Sequence, residues 1–250
     1  MICLLSSAKT FSSEPYNLKV GTEALLLNKT AKLVEKLQTQ TPDNLGKLFH
    51  ASEKISDLNY GRYQNWDNQK EEPVLHAYNG DAYRTLKSEP LTSDNWKHAN
   101  EHIAILSGLY GVLRPTDQIR PHRLEMGTKT KDLAGETLYD FWREEVSEKL
   151  NQIIHDSDTK YLLNVASKEY FKVIDRDQVS VPIIDIDFKT KGPNGLRTIA
   201  IHAKRARGGM ARYVLDNQLK ELHELVKFNF GGYNYAENLS SEKNLVFLKD

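Results

Sequence analysis

Short apolar runs and helical stripes alternate along the whole chain, and this alternation limits the fold more than any other feature. "ICLL" opens as a buried strand and runs into a Ser/Thr-rich loop carrying Lys9. Ala24, Leu27, Ala31 and Val34 recur at helical spacing, which predicts an amphipathic helix over roughly 21–39. "TPDN" signals a second helix start with Pro42 in its first turn, and more helix is expected up to about Tyr63. "PVLHAY" reads as a strand, and residues 93–106 read as helix with Ser93 as N-cap. Leu138, Phe141, Trp142, Val146, Leu150 and Ile153 form a strong helical stripe. "KYLLNVAS" and "VPIIDIDF" read as strands, with "GLRTIAIHAK" as a hairpin partner of the latter. Ala211, Leu215, Leu219, Leu222 and Val226 form a last helical stripe, and "NLVFLK" a closing strand. The expected class is mixed α/β (α+β), with a central mixed sheet flanked by helices.

With 250 residues and no repeat or linker-like stretch, a single compact domain over 1–250 is expected. Formal net charge is zero, so any anion site has to come from a local patch. The one cysteine, Cys3, rules out an intrachain disulfide and a cysteine-based metal cluster. The start "MICLLSSAKTFSSEP" lacks a basic region ahead of a long apolar stretch, and no apolar run approaches the ~20 residues of a membrane span. We expect a cytoplasmic protein without membrane contact, and the charge balance allows a monomer. No cofactor fingerprint is present: P-loop, G-x-G-x-x-G and G-x-S-x-G are all absent. His98 and His102 are four apart on a predicted helix, but without a third ligand no metal site is assigned.

Two stretches carry unusual charge. Phe188 to Leu215 holds Lys189, Lys191, Arg197, Lys204, Arg205, Arg207 and Arg212 and no acidic residue. Within it, Gly208 and Gly209 read as the junction between a basic strand end and a helix, where free N–H groups and the helix dipole suit an anion flanked by Arg207 and Arg212. A solvated basic face with a plain glycine turn is the alternative. "AILSGLYGVLRPTDQIRPHRLEMG", Ala104 to Gly127, places two glycines three apart ahead of Arg114, Arg120, Arg123 and Glu125. Lys9, Asp81 and Ser167 each follow a predicted strand, a usual place for ligands in α/β proteins. The plainer readings are an exposed loop lysine for Lys9, an N-cap for Ser167, a turn residue for Asp81, and salt bridges orienting the arginines for Glu125 and Glu169.

Taken together, "SSAKT", "LSGLYGVLRPTD", "PHRLEMG", "NVASKEYF" and "AKRARGGMARY" resemble the YaaA family of bacterial peroxide-stress proteins, once catalogued as a domain of unknown function. The blocks run in order from residue 1 to about 235. Departures are small: Ser7 stands where the family usually has proline, and Gly209 where a larger residue is common. The resemblance implies a positively charged cleft, a helix–hairpin–helix-like element, DNA as the partner, and a role in limiting oxidative damage to DNA and unincorporated iron.

On that expectation Gly108 and Gly111 in "SGLYG" supply the hairpin's phosphate contact; a tight turn between helix and strand, with Arg114 pairing Asp117, is the plainer alternative. The expected anion-binding set is Lys9, Gly108, Gly111, Arg114, Arg120, Arg123, Lys172, Lys204, Arg205, Arg207 and Arg212. Binding to duplex or branched DNA without sequence preference follows, since nothing reads base edges. An enzyme acting on a nucleotide or nucleic acid is the alternative function. Asp81, Glu125, Asn164, Glu169 and Tyr170 sit near predicted strand ends, and carboxylates repel phosphate unless they do something else. Lys9, Asp81 and Glu125 are the catalytic candidates.

Overall fold

The computed structural model describes residues 1–16, 20–193 and 195–250. Strand β1 (Ile2–Ser6) is the middle of the molecule. A loop leads to helices α1 (Leu27–Gln38), α2 (Pro42–Phe49) and α3 (Glu53–Gln64). The short strand β2 (Glu72–Pro73) and the single turn α4 (Val74–Ala77) follow, then α5 (Asp81–Leu86) and α6 (Ser93–His102). Strands β3 (Ile103–Ser107), β4 (Gly111–Leu113) and β5 (Gln118–Ile119) lead to α7 (Lys131–Ala134) and the long α8 (Leu138–Asp156). The rest is β6 (Leu162–Asn164), α9 (Lys168–Phe171), β7 (Ile183–Gly192), β8 (Gly195–Arg197), α10 (Ala200–Asn217), β9 (Tyr233–Tyr235) and β10 (Asn244–Lys249).

The main sheet runs β4-β3-β1-β6-β7-β10-β9, with β8 hairpinned onto β7. Its five inner strands are parallel: Cys3 lies beside Ile103 on one side and Leu163 on the other, and Asp185 beside Asn164 and Asn244. The edges β4 and β9 are antiparallel. Parallel strands covered on both faces need apolar side chains on both. Ile2 to Leu5 and Ile103 to Leu106 are accordingly all buried. That is why residues 103–106 were expected to continue the preceding helix: a fully apolar run has no period to tell strand from helix.

Local signals set several other boundaries. Thr41 accepts the Asn44 N–H at 3.3 Å with Pro42 in the first turn of α2. Thr92 rather than Ser93 caps α6, in a capping box with Asn95. "PVLHAY" is a correction: Glu72–Pro73 alone pairs with β5, and Val74–Ala77 forms a helical turn buried against the core. In "GLRTIAIHAK" the hairpin partner ends at Arg197, and the chain is helical from Ala200. The last helical stripe also breaks early, because Gln218 turns left-handed (φ 47°) and Leu222 to Lys227 forms a separate 3-10 turn.

The largest correction concerns Gly208 and Gly209. They open no helix; they are buried in the middle of α10, which lies on β1 and β7 and packs along α5 and α6. A Cβ at Gly208 would sit 1.9 Å from the Ala82 carbonyl oxygen of α5, and one at Gly209 would sit 2.7 Å from the Phe230 ring. The glycine pair therefore serves close packing. Its N–H groups belong to the helix and face no anion.

One buried ionisable group ties the 103–126 block to the β1 loop. His122 is enclosed by the rings of Phe11, Tyr78 and Tyr110, and its Nδ1 lies 2.7 Å from the Arg120 carbonyl oxygen. Burial pulls its pKa down to about 4. The unfolded chain protonates near 6.5, so it takes up a proton before the fold does, and stability falls as pH drops from about 6.5 to about 4.

Two outcomes follow from this packing. Gly208→Ala is expected to cost about 2 kcal/mol or more in chemical denaturation, because the clash is with backbone and not with a side chain free to move. Between pH 7.5 and 4.5 the His122 contribution is expected to fall by about 2.5 kcal/mol, and His122→Asn to show a shallower pH profile over that window while being less stable at neutral pH.

Candidate functional site at the switch point of the sheet

β1 connects through α1 to α6 to its neighbour β3, whereas β6, on its other side, leads away to β7. Connections that leave in opposite directions open a crevice at the carboxyl ends of the two strands between them. A cavity of about 430 Å³ lies there, bounded by the ends of β1 and β6, the start of α5, Glu125 and α10. That size is usual for small-molecule sites.

Its walls are cross-linked by short polar contacts. The Ser167 N–H donates to Ser6 Oγ at 2.9 Å, and Tyr83 OH donates to the Ser6 carbonyl at 2.9 Å. Ser7 Oγ donates to Tyr170 OH at 3.0 Å, and the Ser7 N–H bonds the Leu106 carbonyl at 2.8 Å. Ser167 also caps α9, so the N-cap reading holds and the same hydroxyl faces the cavity. Burial pushes the Tyr83 and Tyr170 phenols well above their ordinary range, so both remain neutral donors at physiological pH.

The three expected catalytic candidates, Lys9, Asp81 and Glu125, come together on this cavity. Glu125 sits between two cations, paired to Lys9 through Oε2 and to Arg123 through Oε1 at 2.9 Å. Asp81 pairs with Arg84 at 2.9 Å and lies 3.9 Å from Arg205. Glu169 accepts the Gly127 N–H at 3.0 Å. Each carboxylate is thus held by a donor. Two cations are not: among the described residues Lys204 and Arg207 make no ion pair, and Arg207 Nε is buried without a hydrogen-bond partner. Burial lowers the Arg207 pKa, with Asp187 opposing it.

The other expected anion-binding residues go elsewhere. Ser107 to Gly111 is a buried tight turn between the antiparallel strands β3 and β4, so no helix flanks it. A Cβ at Gly108 would lie 2.3 Å from the Leu124 carbonyl, and Gly111 has φ +72° with the Trp142 ring 2.9 Å from its missing Cβ. The two glycines three apart are required by packing and backbone, not by a phosphate. Arg114 pairs with buried Asp117 at 2.7 Å and donates to the Glu23 carbonyl at 2.8 Å. Arg120 lines a separate hollow with Trp66, bonded to Glu71 at 3.1 Å. Lys172 lies over the Tyr139 ring, 4.7 Å from its centre. Arg212 bonds Asp216 at 2.6 Å and the Leu86 and Glu89 carbonyls. His98 pairs with Asp94 and Glu101 while His102 is buried beside the Met1 carbonyl, and the described residues hold no group of three metal-ligating side chains. Burial pushes the Cys3 thiol up to about 12, which leaves it unreactive.

A second feature escaped the sequence reading. α2 and α3 form a helical hairpin joined by His50, Ala51 and Ser52, with His50 left-handed (φ 47°). Exposed Lys47 and Lys129 line a shallow hollow beside it with Asn44 and His50, and exposed Lys32 and Lys36 line the adjoining one with Glu35 and Thr39. None of these four lysines makes an ion pair among the described residues. The break at 50–52 was the available signal, within a stretch read as continuing helix.

Relatives match this chain from end to end. The UPF0246 protein lpl1317 of Legionella pneumophila (strain Lens) is 38% identical over 256 residues, spanning 100% of this chain and 99% of the relative. A UPF0246 protein of Crocosphaera subtropica (strain ATCC 51142 / BH68) is 37% identical over 250 residues and 100% of both chains. The family described as peroxide stress protein YaaA matches residues 1–239. With the match covering both the strand ends that build the cavity and the helical hairpin, the chain belongs to the peroxide stress protein YaaA family.

Proposed function

We propose that this chain serves peroxide-stress resistance by binding the DNA backbone without reading sequence, through the helical hairpin α2–α3 and the lysines around it. The observation that carries the reading is the group of four exposed lysines, Lys32, Lys36, Lys47 and Lys129, that make no ion pair among the described residues, on a chain of zero net charge. Ser52 makes no side-chain cap, so the first N–H groups of α3 are open at the hairpin turn, where backbone donors suit a phosphate. Gly46 packs α2 tightly on α3, since a Cβ there would meet Ser56 Oγ at 2.8 Å, and this holds the turn rigid. Limiting unincorporated iron belongs to the same proposal, with no residue assigned to it.

The enzyme reading has one specific observation behind it. Lys9, Asp81 and Glu125, distant in sequence, line one cavity at the switch point. Nothing about backbone binding requires that convergence.

DNA titrations at several salt concentrations, with duplex and four-way junction, test the first reading. The Lys47→Gln/Lys129→Gln double variant is expected to weaken binding to all sequences alike and to flatten the slope of log K against log salt by nearly two. An unchanged slope and affinity would remove the hairpin from the interface.

A further inference from the structure

We propose that the switch-point cavity is a binding site for a small phosphate monoester, held at its phosphate by Arg207 and Lys204. This rests on the enzyme reading and supplies its substrate class; it is independent of the lysine hairpin.

Three observations converge on it. The first is an unanswered donor: Arg207 Nε is buried and finds no acceptor among the described residues. The same holds for Arg120 and Arg123 Nε, but Arg207 alone of the three also lacks an ion pair among them. A buried N–H without a partner is costly, and in native structures such groups point to an absent ligand or water. Gly208, the next residue, packs this part of α10 against the Ala82 carbonyl and so fixes where the Arg207 backbone stands beside the cavity.

The second is charge. The cavity's carboxylates are already bound: Asp81 by Arg84, Glu125 by Lys9 and Arg123, and Glu169 by the Gly127 N–H rather than by a cation. Arg207 and Lys204, from one face of α10, then remain as two positive charges with no carboxylate in bonding range. Two such cations suit a dianionic phosphate monoester better than a singly charged carboxylate. The planar guanidinium fixes two oxygens and the lysine acts as a point charge.

The third is shape. The phosphate end is only part of the space, and the remainder is walled by Leu5, Val165, Tyr83 and Tyr170 with the Ser7 and Ser167 hydroxyls between them. Apolar walls with a few convergent hydroxyls accept a compact organic body. The cavity is bounded by the ends of β1 and β6 and by α5 and α10, and its volume of about 430 Å³ suits a ligand of mononucleotide size. The phosphate belongs either to a free mononucleotide-sized molecule or to the 5′ end of a DNA strand.

The test uses the whole chain, with AMP, inorganic phosphate and a short single-stranded oligonucleotide as probes, read by thermal denaturation and calorimetry. Millimolar AMP is expected to raise Tm by a few degrees, as for any ligand bound only by the folded state. Arg207→Gln and, separately, the solvent-accessible Lys204→Gln are expected to weaken AMP binding roughly tenfold or more each, the usual size for a charge-assisted contact. Duplex affinity should stay unchanged in both, while Lys47→Gln/Lys129→Gln should behave in the opposite way. Displacement of AMP by a 5′-phosphorylated oligonucleotide, but not by its 5′-hydroxyl counterpart, would assign the phosphate to a DNA end; no displacement by either assigns it to a free small molecule. If Arg207→Gln fails to fold, Lys204→Gln decides alone. No binding of AMP or phosphate by the wild type, or full binding by a folded Lys204→Gln variant, overturns the proposal and leaves the DNA-binding reading untouched.

Discussion

With the Ala82 carbonyl 1.9 Å from where a Cβ at Gly208 would stand, α10 and α5 can cross at their observed distance only with hydrogen at that position. The cavity depends on this crossing. α5 contributes Asp81, Tyr83 and Arg84, α10 contributes Lys204 and Arg207, and the ends of β1 and β6 close the other side. Ala203, Ala206 and Ala211 continue the small, buried face of α10 that the crossing needs. A larger residue at 208 would push the two cations away from the strand ends and open the space between them.

The charged residues of the chain divide by what surrounds them. Arg114 and Arg212 are bonded to carbonyls as well as carboxylates, which makes them staples between distant segments. Burial raises the Asp117 pKa, and Arg114 together with a 2.7 Å hydrogen bond from Thr22 partly offsets it. Removing one partner of such a pair leaves a buried charge uncompensated, so these arginines belong to stability. Lys204 and Arg207 have no such partners, and the lysines beside α2 have none either. Among the described residues, unpaired cations stand together at the sheet cavity, Lys204 and Arg207, and around the helical hairpin, Lys32, Lys36, Lys47 and Lys129, while other exposed lysines without an ion pair, among them Lys97, Lys220 and Lys243, line neither. A cavity between strand ends suits a small ligand, and a surface beside a helical hairpin an extended backbone.

The opening strand, the long stripe from Leu138 and the closing strand were legible because their patterns are unambiguous: continuous apolar residues flanked by polar turns, or a period of three to four. The helix over 21–39 was legible in kind but starts six residues later, at Leu27. The errors share one cause. Ile103 to Leu106 is uniformly apolar, and Val74 to Ala77 is too short to show a period, so their state was set by what they pack against. The glycines of "SGLYG" and "RGG" carry no mark of whether a phosphate, a carbonyl or a ring approaches them. Leu124, Trp142, Ala82 and Phe230 proved to be the neighbours, all from other parts of the chain.

By itself the sequence determined the class of fold, most of its elements, the family, and the shortlist of Lys9, Asp81 and Glu125. The fold class, the elements and the shortlist follow from local periodicity and from residue types at predicted strand ends, which are properties of short windows; the family follows from the resemblance of five sequence blocks to known relatives. Only the tertiary structure decided which charges remain free. Seven basic residues between 188 and 215 look alike in sequence, yet Arg212 is spent on Asp216, Lys191 on Asp250, and Arg207 on nothing among the described residues. Whether a cation is available to a ligand depends on which carboxylates and carbonyls the fold brings within about 3 Å of it, and that distance is set by strand order and helix crossing, not by spacing along the chain.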